Sequence, residues 1–357
     1  MKSKYLKLKK KEIHQQKKPK KEKIFNYGLA ILKVILEFLV VNNHNFSHRS
    51  TTNKIILYIT YERLLHVPSF FIMSFYFMHK NLLSLNPKIL LNRIMRLLIP
   101  YFIWPTIIWK MNHFFNIKYK SKLPDSYLDL KLQLLWGHNY TPQFWFLWNL
   151  TAITILFIII IFIFRKQTLF ILQIILVLFY VAQYSGYHNY IYRKYPQYKG
   201  KTLGFFFESV PYAVNGFTLG YYKIIDLIQK NKIKTLILSI AIYKLLADYK
   251  IFIEIKGVFY KGIRFNIQAT CIIFIFSLFP SDKIKNKYIQ KFLTIITNYT
   301  AGVYYLHMAL GKYLQYYFDD VKKRNFRGLF ITYFVCYLIS FFGMLIFGKT
   351  PLKYLFC

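Results

Sequence analysis

Four stretches of this chain, Gln143–Phe164, Thr168–Tyr187, Phe292–Gly311 and Leu329–Gly348, contain no Asp, Glu, Lys or Arg. Each is about 20 residues long, the length at which an α-helix crosses a ~30 Å hydrocarbon layer. Hydrocarbon offers no water to loose backbone groups, so segments this apolar are expected to be helices. The composition agrees: 55% of the residues are hydrophobic and 20% aromatic, with 36 Phe and 32 Tyr. The expected class is all-α, a polytopic membrane protein with about ten transmembrane helices. We place the spans at 26–45, 64–79, 97–113, 144–164, 168–186, 204–222, 233–247, 263–280, 294–313 and 329–348. The seventh is the weakest, being short and bracketed by Lys234, Lys244 and Asp248.

The formal net charge is +37, a value that elsewhere points to nucleic acid. Here the charge lies between apolar runs and in the first 23 residues, which hold eleven Lys and two Glu, so nucleic acid is not an expected partner. The two expected parts are a basic tail (1–23) and a transmembrane domain (24–350). The tail does not read as a cleaved signal, because the apolar segment after it runs into Asn42-Asn43-His44 rather than a small-residue cleavage site. Positive charge beside the first span is expected to hold that side in the cytoplasm of a plasma-membrane protein and to touch anionic lipid. Loops on both expected sides are basic, so the tail carries the orientation argument. The three cysteines, Cys271, Cys336 and Cys357, form no CxxC or Cys/His spacing, so neither a metal site nor a disulfide framework is expected.

The first span carries Lys33, Glu37 and His44. At 100° per residue Glu37 lies about 40° around the helix from Lys33, and His44 about 20°, so the three share a face. Ionisable groups inside a membrane helix are costly and face a protein interior or a wet cavity. Eleven residues separate Lys33 from His44, about 16 Å along the axis, so they act at different depths. His44, near the far end, has the chemistry of a general base toward a hydroxyl. Lys33 and Glu37, spaced i, i+4, can simply neutralise each other. Arg93 and Arg96 share a face at the expected inner mouth of span three, where two guanidinium forks suit phosphate oxygens, although ordinary positive-inside charge accounts for them equally. Ser74 reads as a hydrogen bond between helices, Trp145 with Trp148 as an aromatic belt, and His307 as a core histidine that can also serve the site.

Taken in order, these pieces resemble the integral-membrane acyltransferase-3 family, which includes bacterial polysaccharide and O-antigen O-acetyltransferases. A basic residue, ten residues and a His fit Lys33…His44. An apolar Val-Pro-x-Phe-Phe element fits Val67–Tyr76, with Phe75 where glycine is common. Arg93-x-x-Arg96 before Pro100-Tyr101, Trp145-Phe146-Leu147 and Tyr304-Tyr-Leu-His307 complete the series over residues 26–348. Lys33 stands where the family usually has Arg, keeping the charge but losing the bidentate fork. No additional hydrolase-like domain is expected after the tenth span.

The resemblance implies acyl transfer, most often acetyl, from cytoplasmic acyl-CoA to a sugar hydroxyl across the membrane. Acetyl-CoA or another acyl-CoA would be a donor substrate, with no permanently bound cofactor, and a carbohydrate would be the acceptor. His44 and Lys33 would be catalytic, Arg93 and Arg96 would bind coenzyme A, and Glu37, Ser74, Trp145 and His307 would support them. A transporter or flippase for a lipid-linked sugar would explain the Lys-Glu-His face as well. The paired arginines and the ordered motifs favour the enzyme. An adaptor without chemistry would leave His44, Arg93 and Arg96 apart rather than around a cavity.

Overall fold

The computed structural model describes residues 26–45, 65–114, 126–135, 142–185, 199–248, 258–279 and 286–356. These are helical throughout, with no strand among the described residues. The helices are α1 (Tyr27–Asn45), α2 (His66–Ser84), α3 (Pro87–Phe114), α4 (Tyr127–Leu135), α5 (Trp145–Phe164), α6 (Thr168–Tyr184), α7 (Lys199–Tyr221), α8 (Ile224–Ile228), α9 (Lys232–Asp248), α10 (Val258–Ser277), α11 (Lys287–Leu314), α12 (Asp319–Lys322) and α13 (Phe326–Phe347). Short 3-10 turns lie at Pro142–Phe144, Arg165–Gln167, Gln229–Asn231 and Pro351–Leu355. The basic tail and Cys357 lie outside the described residues.

Each expected span is helical over most of its described residues. Two stretches are long and apolar enough to cross a membrane: Trp145–Gln183, which Arg165–Gln167 divides into α5 and α6, and Phe326–Phe347. The outward faces of these helices are oily, with Phe162, Ile163, Phe170, Val177, Phe334, Leu345 and Ile346 all exposed. An apolar surface this extensive suits lipid rather than water. The helix that contains the third expected span extends beyond it. Helix α3 begins at Pro87, ten residues before the expected span, and carries Arg93 and Arg96 in its first turns. Its first turns are too polar for a hydropathy argument to include, yet nothing in them breaks a helix.

Local signals explain several ends. Asn286 caps α11 by accepting from the N–H groups of Tyr288 and Ile289, and Asn325 caps α13 by accepting from Gly328 N–H. Pro100 and Pro105 lie within α3 and Pro211 within α7.

Close approaches set the relative directions. At the start of α1, the Asn26 amide donates to the Ser277 carbonyl at the end of α10. A Cβ on Gly28 would fall 1.7 Å from the Phe276 carbonyl oxygen, so α1 and α10 run antiparallel in contact. Helix α7 runs alongside α2 in the same direction: Gly216 abuts Ile72, where a Cβ would fall 2.2 Å from the carbonyl oxygen, and Gly220 abuts His79. Phe75, where the family pattern favours glycine, is buried and packs on Phe157 of α5 at 4.8 Å. The small residues that let α2 pack closely are supplied by α7 instead. Between α6, α7 and α10, Asn215 donates to Asn266 (2.6 Å) and Thr270 (2.7 Å), and Asn266 donates to the Tyr180 hydroxyl (2.8 Å). The final 3-10 turn folds back on α3: Trp104 Nε1 donates to the Leu355 carbonyl at 2.9 Å, and the Tyr354 hydroxyl bonds Asn92.

Candidate active site

Helix α1 presents Lys33 and Glu37 to α11. Lys33 Nζ donates to the Thr297 carbonyl at 3.0 Å, and Glu37 Oε1 accepts from the Tyr304 N–H at 3.1 Å. Glu37 is 1% exposed, and Lys33 lies within electrostatic reach of it. The pair expected to neutralise itself therefore also clamps two parallel helices through charge-assisted hydrogen bonds. The second carboxylate oxygen, Oε2, is buried without a hydrogen-bond partner among the described residues.

Tyr304 is the hub of the α11 wall. Its hydroxyl donates to the Gln143 carbonyl at the head of α5, and its ring leans on Phe146 at 5.7 Å. Its own carbonyl meets His307 Nδ1 at 2.7 Å. A carbonyl only accepts, so Nδ1 carries the hydrogen and Nε2 of the neutral ring is the acceptor. His307 is fully buried, one helical turn beyond Tyr304.

The two arginines of α3 do not form one fork. Arg93 is half-buried, and its Nη2 donates to Ser74 Oγ of α2 at 2.5 Å. Arg93 Nε is buried without a hydrogen-bond partner among the described residues, and Tyr305 of α11 lies within electrostatic reach. Arg96 is exposed. The i, i+3 spacing leaves about 60° between the two side chains, enough to turn one inward and the other out. Ser74 is thus the interhelical hydrogen-bond partner it was expected to be, with Arg93 as the donor.

Both tryptophans make ring contacts with other helices. Trp145 is half-buried and stacks on Phe205 of α7 at 4.3 Å and 24°, while Trp148 packs against Tyr101 at 5.7 Å. Trp145 and Phe205 line a cavity of about 180 Å³ at the N-terminal ends of α2, α5, α7 and α10 and the C-terminal end of α6. Its polar lining includes Glu208, Gln183 and His66. Glu208 was not singled out from sequence, although it is the lone acid in its span and could have been found by the same reasoning that found Glu37.

His44 occupies the last turn of α1, but its side chain lies outside the described residues, as does the test of whether it opens toward Arg93 and Arg96. Among the described residues, α1, α2, α3 and α11 therefore bring together Lys33, Glu37, Tyr304, His307, Ser74 and Arg93. No three His, Cys, Asp or Glu side chains gather around a metal position among them.

Nothing matches the chain among curated proteins or among solved structures. The family model for an acyltransferase domain, acyltransferase-3, matches residues 26–349, from the residue before α1 to the turn after α13. That span takes in every element of the clamp, the arginine pair and the cavity. The chain belongs to the acyltransferase-3 family of membrane acyltransferases.

Proposed function

We propose that the protein moves an acyl group, most simply acetyl, from acyl-CoA to a hydroxyl of a sugar in a surface glycan or its lipid-linked precursor. The observation that carries this reading is Arg93. A guanidinium turned into a helical bundle, tied to Ser74 and keeping a buried Nε–H without a partner among the described residues, is a donor prepared for an anionic or carbonyl oxygen. Arg96, exposed on the same helix, holds coenzyme A phosphate at the mouth of the passage. In this reading the N-terminus is cytoplasmic in the plasma membrane, and the ten long helices are its spans.

The chemistry balances with one proton carrier. The acceptor oxygen attacks the thioester carbonyl carbon while His44 takes its proton. The new C–O bond forms, the C–S bond breaks, and the proton passes to the coenzyme A sulfur, leaving a free thiol. Lys33 and Glu37 hold α1 against α11 and so fix the depth at which His44 stands. General-base assistance of this kind contributes about 10²–10⁴-fold.

His44→Ala should lower coenzyme A release from acetyl-CoA in the presence of acceptor by about that factor, with membrane insertion unchanged. In cells, surface glycans of the deletion and His44→Ala strains should both lack one O-linked acyl group. Normal glycan acylation in the His44→Ala strain would sink the assignment.

A further inference from the structure

Gln143 lies in the 3-10 turn that leads into α5, and it is fully buried. Its carbonyl accepts from the Tyr304 hydroxyl, and the ring of Phe144 stacks on Tyr305 at 6.3 Å and 21°. It therefore stands against the stretch of α11 that holds Glu37 and carries His307. Both polar atoms of its side-chain amide, Oε1 and Nε2, are buried without a hydrogen-bond partner among the described residues. A buried amide unanswered at both ends is costly unless something bound answers it. Asn149 is unanswered in the same way, but it lies on the Trp145 side of α5, which meets α7 through Phe205.

The neighbours of Gln143 set its depth. Tyr304 bonds both Gln143 and Glu37, so the three share a level, and His44 is seven residues beyond Glu37, about 10 Å further along α1. In the other direction, Phe146 is three residues along α5, and its ring meets Phe70 of α2 at 6.1 Å. Helices α2 and α5 run the same way, since Phe71 meets Phe146 and Phe75 meets Phe157. Four residues beyond Phe70, Ser74 takes the bond from Arg93. Those seven residues of helix put the Arg93 guanidinium about 10 Å from Gln143, on the side away from His44. Arg93, Gln143 and His44 thus follow one another in depth at roughly equal steps.

An acyl-CoA carries its own groups in a matching order. Its phosphates and its thioester are joined by an uncharged arm about 15 Å long, which contains two secondary amides. Two methylene groups, ~4 Å, separate the nearer amide from the sulfur. The His44 side chain leans back toward the start of α1, which shortens the step from Gln143. With a phosphate oxygen on Arg93 and the thioester beneath His44, the nearer amide falls at the depth of Gln143. Its N–H and C=O answer the Gln143 oxygen and nitrogen together. A hydrocarbon chain at that depth would answer neither.

We propose that Gln143 is a donor-binding residue that pairs with the acyl-CoA amide nearest the thioester and so sets how far the acyl group advances toward His44. The assignment rests on the acyl-CoA reading of the site.

The experiment uses the full chain in lipid nanodiscs and two donors. One is acetyl-CoA; the other is its analogue in which an ester oxygen replaces the amide N–H nearest the sulfur. Gln143→Met and Gln143→Leu remove the amide but leave the backbone bond to Tyr304, so both variants should fold. Donor affinity is read by isothermal titration calorimetry without acceptor. Coenzyme A release is read with surface glycan from the deletion strain as acceptor. We expect wild type to bind acetyl-CoA about tenfold or more tighter than the ester analogue, and each variant to bind the two donors within about twofold of each other. A merely structural role for Gln143 would weaken both donors alike. Equal preference in wild type and variants, or no preference in wild type, would overturn the proposal; coenzyme A release persisting alongside that result would leave the acyl-transfer reading standing. Preference that depends on Gln143 without coenzyme A release would keep the amide contact and remove the acyl-transfer reading. Failure of wild type to bind either donor would overturn both.

Discussion

Glu37 offers the sharpest test of how the first helix is held. Its carboxylate is buried, bonded to the Tyr304 N–H, and adjacent to a lysine whose ammonium is bonded to the Thr297 carbonyl. Glu37→Leu removes the anion and leaves the cation in place. Breaking a buried pair from one side typically costs about 3–5 kcal/mol, because the remaining charge is uncompensated. Lys33 is half-buried and keeps its carbonyl partner, so a loss somewhat below that range, about 2–3 kcal/mol, is expected. In Lys33→Leu/Glu37→Leu both charges are gone. What remains is the loss of two interhelical hydrogen bonds, about 0.6 kcal/mol each in measured membrane bundles, offset by added apolar packing. The double variant should therefore be more stable than Glu37→Leu alone by about 1–2 kcal/mol, a strongly non-additive cycle. Thermal unfolding in detergent, followed by tryptophan fluorescence, reads the order of the four proteins. If the single losses simply add, the two side chains are not coupled and the clamp described here is wrong.

Three further outcomes follow from the geometry. Arg93→Ala should raise the acyl-CoA KM by about tenfold, with little dependence on salt, because the inward guanidinium is shielded. Arg96→Ala should have a smaller effect that fades toward ~1 M salt, as for any exposed charge; equal, salt-independent losses would contradict the inward and outward assignment. Gly216→Ala should destabilise the protein by about 1–3 kcal/mol, since its Cβ would meet the Ile72 backbone rather than a flexible side chain. Unchanged thermal stability in that variant would mean that α2 and α7 are not in the close contact described.

The helices themselves were legible in the chain. Apolar runs of membrane length have one way to satisfy their backbone, and each expected span is helical over most of its described residues. Asn286 and Asn325, side chains that accept from free N–H groups, stand at the starts of α11 and α13. The family was legible too, because the order and spacing of Lys33…His44, Arg93-x-x-Arg96, Trp145-Phe-Leu and Tyr304…His307 survive as sequence.

What faces what was decided only in three dimensions. Periodicity fixes the angle between Lys33 and Glu37 on one helix, but not that Thr297 and Tyr304 lie across from them. It places Arg93 and Arg96 about 60° apart, but not which of them turns toward Ser74. Helices α5 and α13 are apolar all round, so their sequences do not distinguish the lipid side from the packed side. Lipid tails are as apolar as the protein interior, which removes the solvent contrast that makes a buried face readable in a water-soluble chain. The Trp145–Phe205 stack and the cavity it borders depend on five helix ends far apart in sequence. Composition could announce a membrane bundle, but only packing could bring those ends together.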